Sequence, residues 1–136
     1  MTKRILATLF ITFMFGICHA NSIEDSKNRA MIATVTDAVT TSLVLSHGGH
    51  DLNPLIGTSQ SRIVPITLAK LALIGVLATS NLPEKEKEQS LNVITSVWAG
   101  GSINNLLVLA GAANPVSLIV GTISAFVIYD KISTTP

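Results

Sequence analysis

The segment IVPITLAKLALIGVLATSNL, residues 63–82, decides the class of fold to which this chain belongs. Its side chains are mostly apolar, and Lys70 is the one that carries a charge. Because a helix rises about 1.5 Å per residue, a helical segment of this length reaches roughly 30 Å. That length matches the hydrocarbon core of a bilayer, so the segment is predicted to be a transmembrane helix.

Three further apolar segments accompany it, at about residues 30–46, 91–110 and 115–129. The first and the last are shorter and span a bilayer only with their polar ends included. The charge run PEKEKEQ, residues 83–89, is predicted to be a solvated loop, after which Ser90 caps the third helix. The sequence therefore predicts an all-α membrane domain over residues 21–136, a bundle of about four transmembrane helices.

The composition supports a membrane location. Of the 136 residues, 48% are hydrophobic and only 12% are charged, and the mean hydropathy is +0.54. Soluble domains carry roughly 25% charged residues. The net charge of +1 gives no clustered basic surface for nucleic acid, so no nucleic-acid partner is predicted. The single cysteine, Cys18, excludes an internal disulfide and a cysteine-based zinc site.

Residues 1–20, MTKRILATLFITFMFGICHA, have the pattern of a secretory signal peptide. Lys3 and Arg4 form the basic start, a largely apolar core follows, and Ala20 offers the small residue that signal peptidase reads. The core is short for a bilayer span, which favours cleavage over an uncleaved anchor. Because the basic start should stay in the cytoplasm, we expect a multi-pass protein of the inner (cytoplasmic) membrane.

Two charged residues, Asp37 and Lys70, lie near the middle of consecutive apolar segments. A charge inside a membrane is costly, so it usually faces the bundle interior and is paired or functional. A structural ion pair between the two is the favoured interpretation; a proton or ion relay, and extension of Lys70 toward the interface, are the alternatives. Thr41 shares a helix face with Asp37, and Asn105, deep in the third segment, requires a partner across a helix interface.

Small residues form the predicted packing surface of the third and fourth helices. Ser117, Gly121 and Ala125 recur at four-residue spacing, and Gly100 offers a similar position in the third segment. Lipid gives helices no hydrophobic reason to associate, so small residues that allow close backbone approach must promote packing. The sequence leaves open whether this contact forms within one chain or in a homo-oligomer.

The connection after the first helix is rich in turn-forming residues. Gly48 is expected to end the helix with a positive φ angle, and Asp51 and Asn53 to bond the turn backbone ahead of Pro54. His47, His50 and Asp51 are weak candidates for metal ligands. Two glycines separate the histidines, which places them on a turn and not on one helical face, so neither metal nor cofactor is predicted.

The pattern of Asp37, Thr40, Thr41, Gly48, Asp51-x-Asn53-Pro54, Lys70 and Asn105 resembles a family of small uncharacterised multi-pass membrane proteins of bacteria and archaea. That family shows an Asp-x-x-Thr helix, a glycine and an acidic-x-Asn-Pro turn. Its acidic residue before Asn-Pro is usually Glu, where this chain has Asp51. The resemblance implies the helical membrane architecture and this set of residues, but no reaction.

Together these features predict a small integral membrane protein of non-enzymatic function, with the lipid bilayer as its partner. The alternative is a holin-like pore-forming protein of phage or prophage type, which the small size and small-residue stripes would also suit. An intramembrane enzyme would need a nucleophile with an adjacent base, and the apolar segments contain no histidine that could form a Ser-His or Glu-x-x-His arrangement.

Overall fold

The computed structural model describes residues 22–51, 53 and 55–134, and within them it is all-helical with four α-helices and no strand. The helices are α1 (Ile23–Ser46), α2 (Ile63–Thr79), α3 (Glu84–Leu109) and α4 (Asn114–Thr134), and a 3₁₀ turn (Gln60–Arg62) precedes α2. The all-α prediction is confirmed for this part of the chain. The predicted signal peptide, residues 1–20, lies outside the described residues, as does Pro54.

Helix α1 begins seven residues before the predicted start at residue 30. Ser22 occupies its N-cap position and accepts a hydrogen bond from the backbone N–H of Asp25. Glu24 and Asp25 lie in the first turn, where negative charge is favourable because the helix dipole is positive at its N-terminus. The polar lead-in is therefore helical, although its composition placed it outside the apolar segment.

The charge run before the third helix is also helical, so its prediction as a loop was wrong. Helix α3 begins at Glu84, directly after Pro83, which takes the N-cap position. Glu84 and Glu86 lie in the first turn, where negative charge is favourable beside the positive end of the helix dipole. Glu, Lys and Gln are also strong helix formers. Ser90 consequently lies inside α3 and does not cap it. Helix α2 ends at Thr79, three residues early, and α4 continues to Thr134, five residues beyond its predicted end.

Side-chain contacts define the direction of each helix. Lys70 of α2 meets Asp37 of α1, while Leu45 and Ile63 share a cluster nearer the turn, so α1 and α2 are antiparallel. Helices α1 and α3, by contrast, are parallel. Arg29 contacts Asn92 near both N-termini, and Thr41 contacts Asn105 near both C-termini. Helix α4 packs antiparallel on α3. The chain therefore runs up, down, up and down.

The distribution of polarity is the reverse of that in a soluble bundle. Among the described residues the buried interior is rich in polar side chains, including Ser26, Arg29, Thr34, Asp37, Thr40, Thr41, Asn92, Thr95, Asn104 and Asn105. Large apolar side chains lie outside; Phe126, for example, is 72% exposed. Two helical segments in this part of the chain, Gln60–Thr79 and Asn114–Thr134, are long and apolar enough to cross a membrane.

Candidate ligand-binding site in the helix bundle

An ion pair joins α1 to α2 in the middle of both helices. The Lys70 Nζ atom lies 2.7 Å from Asp37 Oδ2, and the two side chains are 18% and 13% exposed, respectively. The ammonium also lies 5.1 Å from the centre of the Trp98 ring on α3, within the range of a cation–π contact. Lys70 therefore points inward to Asp37 and Trp98, and not along the helix toward the interface.

Gly101 of α3 makes room for the carboxylate of this pair. A Cβ atom at Gly101 would lie 3.0 Å from Asp37 Oδ1, closer than side chains normally approach. Sequence reasoning missed both Trp98 and Gly101. The signal that could have found them is their spacing, because Trp98, Gly101 and Asn105 recur at helical intervals and share one face of α3.

A second group of hydrogen bonds ties α1, α3 and the following turn together. The Asn105 Nδ2 atom donates to Thr41 Oγ1 at 3.0 Å and to Thr40 Oγ1 at 3.3 Å. Thr41 in turn donates to Asp51 Oδ2 at 2.9 Å. The structure thus brings Asp51, predicted as part of the turn, together with Thr41 and Asn105, predicted as part of the polar interior.

The turn motif is held by its own hydrogen bonds. Gly48 has φ +79°, a backbone conformation that is sterically unfavourable for residues with a Cβ atom. Asp51 Oδ1 accepts from the backbone N–H of Asn53 at 2.6 Å, and Asn53 Oδ1 accepts from that of Leu55 at 3.0 Å. The backbone N–H of Asp51 donates to the carbonyl of Gly57 at 2.8 Å. Both oxygens of Asp51 are therefore already hydrogen-bonded.

The three weak metal candidates do not form a ligand set. His47 is exposed, and its Nδ1 atom lies 2.8 Å from the backbone carbonyl oxygen of Leu43. His50 is also exposed, and Asp51 is engaged by Thr41 and the turn. Within the described ranges no group of three His, Cys, Asp or Glu residues is placed to hold a metal ion.

The small-residue stripe of α4 packs against α3 of the same chain. A Cβ atom at Gly121 would lie 2.7 Å from the carbonyl oxygen of Gly100, and one at Gly100 would lie 2.8 Å from Ala125 Cβ. Ser117, on the same face, is fully buried. The small-residue contact between α3 and α4 is thus made within one chain. The sequence alone had left open whether it forms within one chain or between chains.

Beside the ion pair lies a cavity of about 680 Å³, within the range of small-molecule sites. Its polar wall includes Asp37, Lys70, Asp51 and Asn104. Its apolar wall is contributed mainly by α3 and α4, and includes Val97, Trp98, Leu118, Phe126 and Tyr129. Several of these wall residues are themselves exposed, so the cavity is open to the outside of the bundle.

Two oxygen atoms at this cavity lack a hydrogen-bond donor. Asn104 is 8% exposed, and its buried Oδ1 atom has no partner among the described residues, although its Nδ2 atom donates to Asn105 Oδ1 at 3.4 Å. For Asp37, the described contacts of the carboxylate engage Oδ2 and leave Oδ1 without a donor. Buried acceptors are nearly always satisfied. The unpaired Oδ1 atom of Asn104, the buried one of the two, therefore indicates a place for a donor.

A separate polar contact, which sequence reasoning did not anticipate, lies near the N-termini of α1 and α3. Arg29 Nη2 donates to Asn92 Oδ1 and to Ser26 Oγ, each at 3.1 Å. Arg29 and Asn92 are both buried. This contact joins α1 to α3 away from the cavity, and therefore adds to packing and not to the candidate site.

No protein-family model, no curated protein and no solved structure matches the chain. The contacts described above are therefore the basis on which a function is proposed.

Proposed function

We propose that the protein is a small four-span integral membrane protein of the cytoplasmic membrane that binds a small molecule in its cavity without transforming it. The observation that carries the binding function is the cavity itself, which combines a buried ion pair with an apolar wall open to the side of the bundle. The bilayer is the partner that we propose for the exposed apolar surface.

All four helices contribute to that surface. The exposed large side chains include Ile32 and Val35 of α1, Val64 of α2, Val97 of α3 and Ile123 of α4. In water such a surface would favour aggregation, whereas in a bilayer it is solvated by lipid chains. The exposed apolar faces thus support a location in which every helix contacts lipid.

The low average hydropathy of α1 and α3 comes from polar residues that are buried inside the bundle. Their polar residues, such as Thr34, Thr41, Thr95 and Asn105, are turned toward each other and are buried. Hydropathy averaged over a helix counts these residues, but lipid does not contact them. Between residues 89 and 109 α3 contains no charged side chain, which supports a span of about 30 Å.

The contacts around the cavity support binding over catalysis. Lys70 is held by Asp37, and Asp51 is held by Thr41 and the turn backbone. A covalent mechanism requires a nucleophile activated by an adjacent base or by a lowered pKa. Asp37 and Lys70 of this wall instead stabilise one another.

The pore-forming alternative requires several chains to surround a channel. The small-residue stripe that would favour such association is occupied by the contact between Gly100 and Gly121 within one chain. For that reason we favour the binding function. A pore former would collapse the membrane potential on induced expression, whereas the proposed binding protein would be tolerated.

A topology experiment tests the four-span arrangement. Single cysteines replace Lys85, at the start of α3, and Ala112, between α3 and α4, in a Cys18→Ser background. If α3 crosses the membrane, a membrane-impermeant maleimide applied to intact spheroplasts labels one of the two positions and not the other. If only α2 and α4 cross, both positions lie on the same side and react alike, and the four-span proposal is wrong.

A further inference from the structure

We infer that the ligand of the cavity is an amphipathic amine, a protonated amino group on an apolar body; this rests on the proposed binding function. The inference combines three properties of the cavity wall: its balance of charge, its unpaired acceptors and its apolar face. The first disfavours an anionic head group, the second favours an amine over an alcohol, and the third accounts for the apolar body.

The charge of the wall disfavours an anionic head group. Asp37, Asp51 and Lys70 line the cavity, which makes two carboxylates against one ammonium. Lys70 is already neutralised by Asp37 at 2.7 Å and covered by the Trp98 ring. A carboxylate or phosphate would therefore meet an excess of negative charge, and that repulsion is stronger in a medium of low dielectric constant than in water. A cation restores neutrality.

The unpaired acceptors distinguish an amine from an alcohol. Asp37 Oδ1 lies against Gly101, and Asn104 is found one turn further along the same helix. Asp37 Oδ1 has no donor among the described contacts, and Asn104, which also lines the cavity, has a buried Oδ1 atom without a partner. An ammonium group brings three N–H donors and a positive charge to the Asp37 carboxylate, whereas a hydroxyl group brings one donor and no charge. Charge-assisted hydrogen bonds are also the stronger ones.

The apolar face accounts for the rest of the ligand. Val97, Leu118 and Phe126 line the cavity and are 56%, 48% and 72% exposed. The outer surface of α3 and α4 has further exposed apolar side chains, such as Val93 and Ile119. A hydrophobic body lying against them would be shielded from water, and it could enter sideways from the hydrocarbon layer.

The test compares three probes with the same twelve-carbon chain and different head groups: dodecylamine, dodecanol and dodecanoate. Trp98, the only tryptophan of the chain, lines the cavity and reports occupancy by its fluorescence. The full-length protein is titrated in lipid nanodiscs at pH 7. We expect a saturable change with dodecylamine at a Kd about tenfold lower than with the other two probes, a factor equal to about 1.4 kcal/mol.

Matched variants separate binding in the cavity from partition into lipid. Asp51→Asn removes one carboxylate of the wall without touching the ion pair, and should weaken dodecylamine at least about threefold without changing dodecanol. Glu86→Gln removes an exposed carboxylate outside the cavity and should change neither. Thr122→Phe fills the cavity and should abolish saturation, whereas Ile123→Phe, at the next position of α4, should preserve it. Circular dichroism confirms equal helix content.

The outcomes distinguish the two proposals. Tighter or equal binding of dodecanol or dodecanoate would overturn the amine class and leave the binding function standing. Absence of saturable binding by all three probes would overturn both. Formation of a dimer that protects Trp98 from a brominated lipid would also overturn the inference, because a second copy would then occupy the groove.

Discussion

Replacing Gly121 with alanine should loosen the contact between α3 and α4. The added Cβ atom would lie 2.7 Å from the carbonyl oxygen of Gly100 and 2.9 Å from Asn104 Cβ. Neither of these atoms is the end of a flexible side chain, so neither can turn aside. The helices must instead separate by roughly one ångström, because non-bonded heavy atoms pack best at about 3.5–4.0 Å.

The expected magnitude follows from two opposing effects. Overpacking of a close contact costs about 1–3 kcal/mol, whereas replacing glycine by alanine inside a helix gains about 0.5–1 kcal/mol. We therefore expect Gly121→Ala to lower the free energy of unfolding by about 1–2 kcal/mol. Gly75→Ala is the matched control, since a Cβ atom at Gly75 of α2 meets nothing within 4 Å and that glycine is exposed. It should be neutral or slightly stabilising.

Equilibrium unfolding in mixed micelles, followed by the circular dichroism of the helices, measures both variants on one scale. The structure requires the two substitutions to differ by about 2 kcal/mol, because only Gly121→Ala disturbs a contact between helices. Equal stability of Gly121→Ala and Gly75→Ala would refute the reasoning, because it would mean that α3 and α4 do not approach at their backbones.

Two further predictions concern the ion pair and the turn. Asp37→Asn and Lys70→Met should each destabilise the protein, by up to about 3–5 kcal/mol if the partner charge stays buried. The double variant should recover much of that loss. Strictly additive losses in the same unfolding assay would show that the interaction between the two side chains contributes nothing to stability. Gly48→Ala should cost about 1–2 kcal/mol because of its positive φ angle, and Gly48→Asn should cost less, since asparagine tolerates this conformation; equal costs measured by thermal denaturation would contradict that explanation.

Sequence reasoning could predict those features that depend on residues close together along the chain. The periodic apolar segments predicted four helices, and the position of Asp37 and Lys70 in the middle of consecutive segments predicted that they would face each other. The turn followed from the conformational preferences of Gly48, Asp51 and Asn53. In each case one or two short stretches of sequence contain the whole physical cause.

The features that it could not predict depend on three-dimensional proximity. The starts of α1 and α3 were placed too late because the predictions followed apolar composition. The polar residues before each apolar segment, such as those from Glu84 onward, are helical by propensity and dipole. The partner of Asn105 was unknown because several hydroxyl groups lay within reach of a bundle interior. The cavity arises only once side chains from all four helices and from the turn after α1 are brought together.

In the four-span protein that we propose, the ion pair between α1 and α2 has a consequence for insertion into the membrane. A charged residue at the centre of a lone helix raises the cost of insertion by about 2.5–3.5 kcal/mol, and α1 carries such a residue without the strong hydropathy that makes α2 a candidate span. Paired with Lys70, Asp37 enters as part of a neutral hairpin. We therefore expect α1 to wait at the translocon until α2 has been synthesised, so that the two helices pass into lipid as one unit.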